Sequence, residues 1–281
     1  MSKEYFLIGH PLGHSMSPFI HEQLFALGGH VAAYALRDIA PDALENEMPV
    51  LLKSDGFNVT IPYKQAVIPF LHRLEGRAAL YGAVNTVAVQ NGQAVGCNTD
   101  AEGFLAALKA AGVALEGRVL LLGSGGAART FGCEAALAGC RIVNAVRPGS
   151  EAKGRDIARA ACALRDVPYD VVTYDGIYGD FDTVINATSV GMYPHVDACP
   201  VADGVLRRTR AVFDAVYNPG RTLLLQKAAA YGAVAVGGMA MLVWQAVAAH
   251  SVWYGARFDA EQIELLVTRA EEERRAQFDG R

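Results

Sequence analysis

"RVLLLGSGGAART", residues 118–130, is a short apolar run, a glycine-rich turn and the opening of a helical segment. A βα unit that holds a dinucleotide needs these parts in this order. Gly123, Gly125 and Ala128 fit the G-x-G-x-x-G/A spacing. The glycines let the backbone turn sharply and approach a pyrophosphate, which then sits at a helix N-terminus. The bare motif is weak evidence, and its place between two strand-like runs is what gives it weight; a mere tight turn is the plain alternative.

Outward from this turn, short Val/Ile/Leu/Tyr runs alternate with longer stretches of helical period. The runs are "YFLIG", "AAYAL", "FNVTI", "RVLLLG", "RIVNAV", "YDVVTY", "DTVINAT", "RAVFDAV" and "GAVAV". That alternation predicts an α/β protein with largely parallel sheets. Between residues 85 and 98 the pattern changes to two alternating runs about Asn91-Gly92, a hairpin signal that closes a first domain. "TDAEGFLAALKAAG" then predicts a helix ending at Gly112, and a fresh βαβ series follows. The boundary falls near residue 101. The tail predicts two helices, the first apolar nearly all round and therefore buried.

The chain's 281 residues suit two domains, each able to bury its own core. A net charge of −4 gives no electrostatic reason to expect nucleic acid or an anionic membrane as partner. Five cysteines without C-x-x-C spacing read as reduced thiols. The apolar run in "MSKEYFLIGH" is too short for a signal peptide, and no apolar stretch approaches membrane-spanning length. A cytoplasmic protein is expected. The seven histidines offer no zinc spacing; His10 and His14 are four apart, but Pro11 and Gly13 between them rule out a regular helix, so no metal is expected.

Three places carry chemistry beyond the glycine turn. About 20 residues past it, where NAD sites usually carry an acid, stands Arg147 in "NAVRPGS". A guanidinium suits the 2′-phosphate of NADP, a solvated surface arginine being the alternative. Near the N-terminus, Ser17 before Pro18 predicts a helix start with Ser17 as N-cap, and Ser15 and Ser17 there also offer hydroxyls to a carboxylate. In "NVTIPYK", Lys64 follows a strand-like run with no acid nearby, and "CNTD" places Asp100 at the end of the hairpin, where the two domains are expected to meet. If both runs share a sheet, Lys64 and Asp100 meet at its edge across 36 positions of sequence. An amine and a carboxylate paired away from water suit proton transfer from an alcohol. Taken singly, Lys64 reads as a surface lysine, and Thr60, Asn85 and Asn98 as capping or turn residues.

The stretches "HSMSP", "NVTIPYK", "GAVNT", "NTD", "GSGGAAR", "NATSVGM", "YNPGRTLLL" and "MLVWQA" occur in the order of the shikimate dehydrogenase family, which the chain resembles from end to end. The resemblance implies a substrate domain from residues 1–101 plus 240–281, with the tail helices packed back on it, and a Rossmann NADP domain over 102–239. It implies reversible hydride transfer between NADPH and 3-dehydroshikimate, giving shikimate. Carried over through the motifs, Ser15 and Ser17 hold the substrate carboxylate and Lys64 with Asp100 form the catalytic pair. Thr60, Asn85, Asp100 and Gln245 bind ring hydroxyls or carboxylate, and Tyr217 closes the pocket. Gly123, Ser124, Gly125, Gly126 and Ala127 match the pyrophosphate loop and Arg147 the adenosine phosphate site. Thr188, Ser189, Met192, Gly238 and Met241 match the nicotinamide side.

The chain departs from the family pattern at His10, Cys97, Ala101, Gly237 and the turn Val146-Arg147-Pro148. The altered turn removes two hydrogen-bonding side chains from the phosphate site. It keeps open a quinate/shikimate paralogue accepting NAD. A non-catalytic sensor of a cyclohexane carboxylate would not need both Lys64 and Asp100. The expected partners are small molecules, with the protein a monomer or homodimer.

Overall fold

The computed structural model describes residues 3–13 and 15–279. The chain divides into two compact units, Met1–Gly103 with Leu242–Arg281, and Phe104–Met241. Each is an α/β layer structure built on one six-stranded sheet.

The first unit contains β1 (Lys3–Gly9), α1 (Ser17–Leu27), β2 (Ala32–Asp38), α2 (Leu44–Leu51), β3 (Gly56–Val59), β4 (Arg73–Leu74), α3 (Arg77–Tyr81), β5 (Thr86–Gln90) and β6 (Gln93–Cys97). Its sheet order is β2-β1-β3-β5-β6-β4. The first three strands run parallel, whereas β5 is antiparallel to β3 and β6. Asn91 and Gly92 both take positive φ, 52° and 73°, which is what the two-residue hairpin turn demands. The hairpin is not the sheet edge, because β4 adds itself beyond β6. A two-residue strand leaves no periodic signal in sequence. The expected strand "FNVTI" is shorter than the run, since β3 stops at Val59. Beyond it the chain turns, with Tyr63 N–H donating to the Thr60 carbonyl, and Ile61 is exposed.

The helix α4 (Asp100–Ala110) leads into the second unit: β7 (Arg118–Leu122), α5 (Gly126–Leu137), β8 (Arg141–Val146), α6 (Glu151–Leu164), β9 (Tyr169–Thr173), β10 (Thr183–Asn186), α7 (Asp203–Leu206), β11 (Ala211–Asp214), α8 (Leu223–Ala230) and β12 (Val234–Val236). All its strand pairs are parallel, in the order β12-β11-β10-β7-β8-β9. Counted within the unit this is the doubly wound order of dinucleotide-binding domains, whose switch point lies between β7 and β10. The strands β7, β10 and β11 are buried on both faces and so read as continuous apolar runs rather than alternating ones.

The last helices, α9 (Gly238–Tyr254) and α10 (Ala260–Arg274), bring the chain back to the first unit. Trp253 donates its indole N–H to the Val87 carbonyl at 3.0 Å and packs on Tyr5 with ring centroids 4.3 Å apart. No helix among the described residues is long and apolar enough to cross a membrane.

Candidate active site

In the first unit, β3 and β5 pair with Asn58 opposite Thr86, which puts the chain leaving β3 beside the chain entering β5. Val84 N–H donates to the Lys64 carbonyl at 2.7 Å and fixes that proximity. Lys64 then projects to Asp100 at the start of α4, with Nζ 2.5 Å from Oδ2. The side chains are only 12% and 7% exposed, so this is a pair held away from water. A carboxylate in the first turn of a helix is also favoured by the helix dipole.

Asn85 supports the other carboxylate oxygen. Its Nδ2 lies 2.9 Å from Asp100 Oδ1, 3.0 Å from Thr99 Oγ1 and 3.3 Å from Gln245 Oε1. An amide has two hydrogens for these three acceptors. The longest of the three contacts is the one to Gln245. Gln245 comes from α9, 160 positions away in sequence. Asn98, by contrast, is structural: its Nδ2 donates to the Ala83 carbonyl, and its Oδ1 accepts from Ala101 N–H. Thr60 follows β3, its N–H donating to the Ile8 carbonyl.

The serines are placed differently from expectation. Helix α1 begins at Ser17 itself, and its N-cap is Met16, already helical at φ −81°, ψ −5°. Ser17 is thus the first helical residue and not the cap. Its N–H donates to Ser15 Oγ at 3.2 Å, and the residue is buried. Ser15, just before the helix, is half-buried. His14, the second of the two spaced histidines, lies outside the described residues.

Sequence reading missed the polar network behind the pair. Tyr34 Oη donates to Asn58 Oδ1 at 2.7 Å, and Asn58 Nδ2 donates to Thr86 Oγ1 at 3.0 Å. Thr86 Oγ1 lies 3.0 Å from Thr99 Oγ1, and the Thr99 N–H donates to Asn85 Oδ1 at 2.7 Å. A buried polar chain therefore runs from Tyr34 to the Lys64–Asp100 pair. The available signal was a polar residue at an inward strand position, Tyr34 in "AAYAL" and Asn58 in "FNV".

The second unit gathers the residues of the glycine turn. Gly123 has φ +113°, and a Cβ there would stand 3.1 Å from both the Ala187 carbonyl oxygen and Thr188 Cγ2. Only glycine meets both conditions without strain. A Cβ on Gly125 would meet nothing within 4 Å, and α5 starts with no side-chain cap and no acid in its first turn. Open space before uncapped N–H donors fits a pyrophosphate. Ser124, Gly126 and Ala127 are half-buried around that space. Asn144, fully buried in β8, pins the turn by donating to the carbonyls of Leu121 and Gly123 at 3.1 and 2.8 Å. Arg147 stands exposed immediately after β8.

The loop after β10 carries Thr188, Ser189 and Met192. Thr188 Oγ1 donates to Asn186 Oδ1 at 2.7 Å, whereas Ser189 and Met192 are exposed. Gly238 opens α9 against the turn after β11, where a Cβ would lie 2.4 Å from the Ala215 carbonyl oxygen. Met241 is buried and Tyr217 half-buried.

Comparison with known proteins adds a further set of findings. Residues 7–87 match the family model described as shikimate dehydrogenase substrate binding domain. The shikimate dehydrogenase (NADP(+)) of Shouchella clausii is 38% identical over 95% of this chain and 98% of its own. Among solved structures, shikimate 5-dehydrogenase of Thermus thermophilus, in complex with NADP(H) and shikimate, superposes with a TM-score of 0.84 at 31% identity, covering 95% of this chain and 99% of that one. A ligand-free 5-ketofructose reductase of Gluconobacter sp. superposes at 0.80 with 31% identity, covering 96% and 99%.

Proposed function

The chain belongs to the shikimate dehydrogenase family, and from that premise we propose that it is an NADP-dependent shikimate dehydrogenase, interconverting 3-dehydroshikimate and shikimate, with Lys64 and Asp100 as its acid–base pair. The observation that carries the chemistry is the buried Lys64–Asp100 contact backed by Asn85. NADP, when bound, supplies or accepts the hydride.

The residues of the first unit do the rest. In the reductive direction the Lys64 ammonium, held in place by Asp100, stabilises the alkoxide that forms at the carbonyl oxygen and hands it a proton. In the oxidative direction the same pair receives the proton of the alcohol. Asn85 keeps Asp100 oriented so that its charge faces Lys64. Gln245 Oε1 accepts from a ring hydroxyl, and Ser15 and Ser17 offer their hydroxyls to the carboxylate. In the second unit, Gly123, Gly125 and the uncapped start of α5 receive the pyrophosphate. Arg147 receives the 2′-phosphate that separates NADP from NAD.

The test is a set of initial rates at about 340 nm, the absorbance of the reduced nicotinamide, with shikimate and quinate each paired with NADP and NAD. Shikimate with NADP is expected to give the highest kcat/KM. A higher value for quinate, or for NAD, would replace this reading by the paralogue. Reduction of 5-ketofructose serves as a further arm.

A further inference from the structure

In the second unit, Asp214 ends β11 with no solvent exposure, and its carboxylate meets three neutral donors instead of a cation. Asn186 Nδ2 lies 2.9 Å and Val216 N 3.0 Å from Oδ1, and Thr222 Oγ1 donates to Oδ2 at 2.6 Å. These donors come from three segments. Asn186 ends β10 and, through its Oδ1, takes both the N–H and the hydroxyl of Thr188; Thr188 Oγ1 in turn accepts from Val190 N–H. Val216 begins the turn that carries Tyr217, and its carbonyl accepts from Gly238 N–H at the start of α9. Thr222 is the N-cap of α8.

We propose that Asp214 is a positioning residue for the nicotinamide half of the cofactor, its carboxylate locking the Thr188–Met192 loop, the Tyr217 turn and the first turn of α9 into one arrangement. The inference rests on the reading of Thr188, Met192, Gly238 and Met241 as the nicotinamide side. A bare carboxylate in a core is costly, and an asparagine of the same shape would fill the space without a charge. Burial pushes its carboxyl up to about 6, against the pull of its three hydrogen bonds, and its charge in turn helps to raise the Cys199 thiol. What the carboxylate does that an amide cannot is accept from all three donors at once. An amide keeps Asn186 and Val216 through its oxygen but turns its NH2 on Thr222, whose hydroxyl hydrogen then loses its acceptor in a fully buried setting and loosens the start of α8 against β11.

The experiment compares the wild-type protein with Asp214→Asn. With shikimate as substrate, kcat should fall by about 10- to 100-fold, the usual consequence of ångström-scale misplacement at a reacting centre. The KM for NADP should stay within about threefold, because the pyrophosphate turn and Arg147 are untouched. Independently of turnover, NADPH is titrated onto both proteins and its fluorescence followed. The variant should bind with unchanged Kd but show a smaller enhancement of nicotinamide emission at saturation, because the ring is held less firmly. An unchanged kcat and unchanged enhancement in a folded variant would overturn the assignment, as would a rise in the KM for NADP with kcat intact. Should wild-type turnover of shikimate be absent, the functional reading fails while the fluorescence comparison still decides the role of Asp214. If Asp214→Asn does not accumulate, Asn186→Ala cuts the same connection from the loop side and is read identically.

Discussion

Tyr34 donates its phenolic hydrogen to Asn58 Oδ1 at 2.7 Å, and this bond ties β2 to the residues that support Lys64 and Asp100. The phenol is fixed in place, because its ring stacks on His21 with centroids 4.1 Å apart and its burial leaves it no water to bond instead. Tyr34→Phe keeps the stack and removes the hydrogen, leaving Asn58 Oδ1 without its donor. A loss of about 1–3 kcal/mol is expected in urea unfolding. In a double-mutant cycle with Thr86→Val, which removes the next bond of the chain, the two changes should interact by about 0.5–3 kcal/mol. Strict additivity would show that the chain is not continuous.

Lys64→Ala removes the proton carrier and leaves the carboxylate with Asn85 alone. Turnover should drop by a factor on the order of 10²–10⁴, while shikimate still binds, as followed by calorimetry. Turnover equal to wild type would remove Lys64 from the mechanism.

His21 and His250 form a buried pair, Nδ1 of one 3.1 Å from Nε2 of the other, among Phe25, Tyr34 and Trp253. Burial holds His21 well below the usual imidazole range and takes His250 down to about 3. Both rings therefore stay neutral in the folded protein, whereas in the unfolded chain they take up protons below about 6.5. The sign follows: stability is constant with respect to these groups above that pH and is lost as pH falls from about 6.5 toward 3. Each ring contributes a slope of up to about 1.4 kcal/mol per pH unit. His250→Gln should flatten the fall between about pH 6.5 and 5, measured by urea unfolding at each pH; parallel curves would contradict the account.

Gly123→Ala meets two obstacles at once, the positive φ and the 3.1 Å approach to the Ala187 carbonyl oxygen. A cost of about 1–3 kcal/mol is expected from the backbone conformation. With the turn proposed as the pyrophosphate seat, the KM for NADP should rise and the KM for shikimate should not. Equal changes in both would place the damage in the fold rather than in the cofactor seat.

Helix α1 shows how a local rule misleads. Ser-Pro before an apolar run has the form of an N-cap followed by the first helical residue, but Met16 already has helical dihedrals, so the frame is displaced by one and Ser17 is a buried first helical residue. Nothing in the spacing distinguishes the two frames. The hairpin and the glycine turn had no such ambiguity, since positive φ at Asn91, Gly92 and Gly123 is a demand that few residues satisfy.

By itself the sequence determined the α/β class, the succession of every strand except β4, the hairpin and the glycine turn. These are set by residues within a few positions of one another, through hydrophobic period and allowed backbone angles. Tertiary structure alone decided which polar groups meet. Lys64 finds Asp100 across 36 positions, Asn85 finds Gln245 across 160, and Asp214 gathers donors from the end of β10, the turn after β11 and the start of α8. A polar side chain at the end of a strand has the same local pattern whether it caps a turn, binds a ligand or transfers a proton. Its partner is chosen by strand order and by burial, which leaves an unpaired charge too costly to keep.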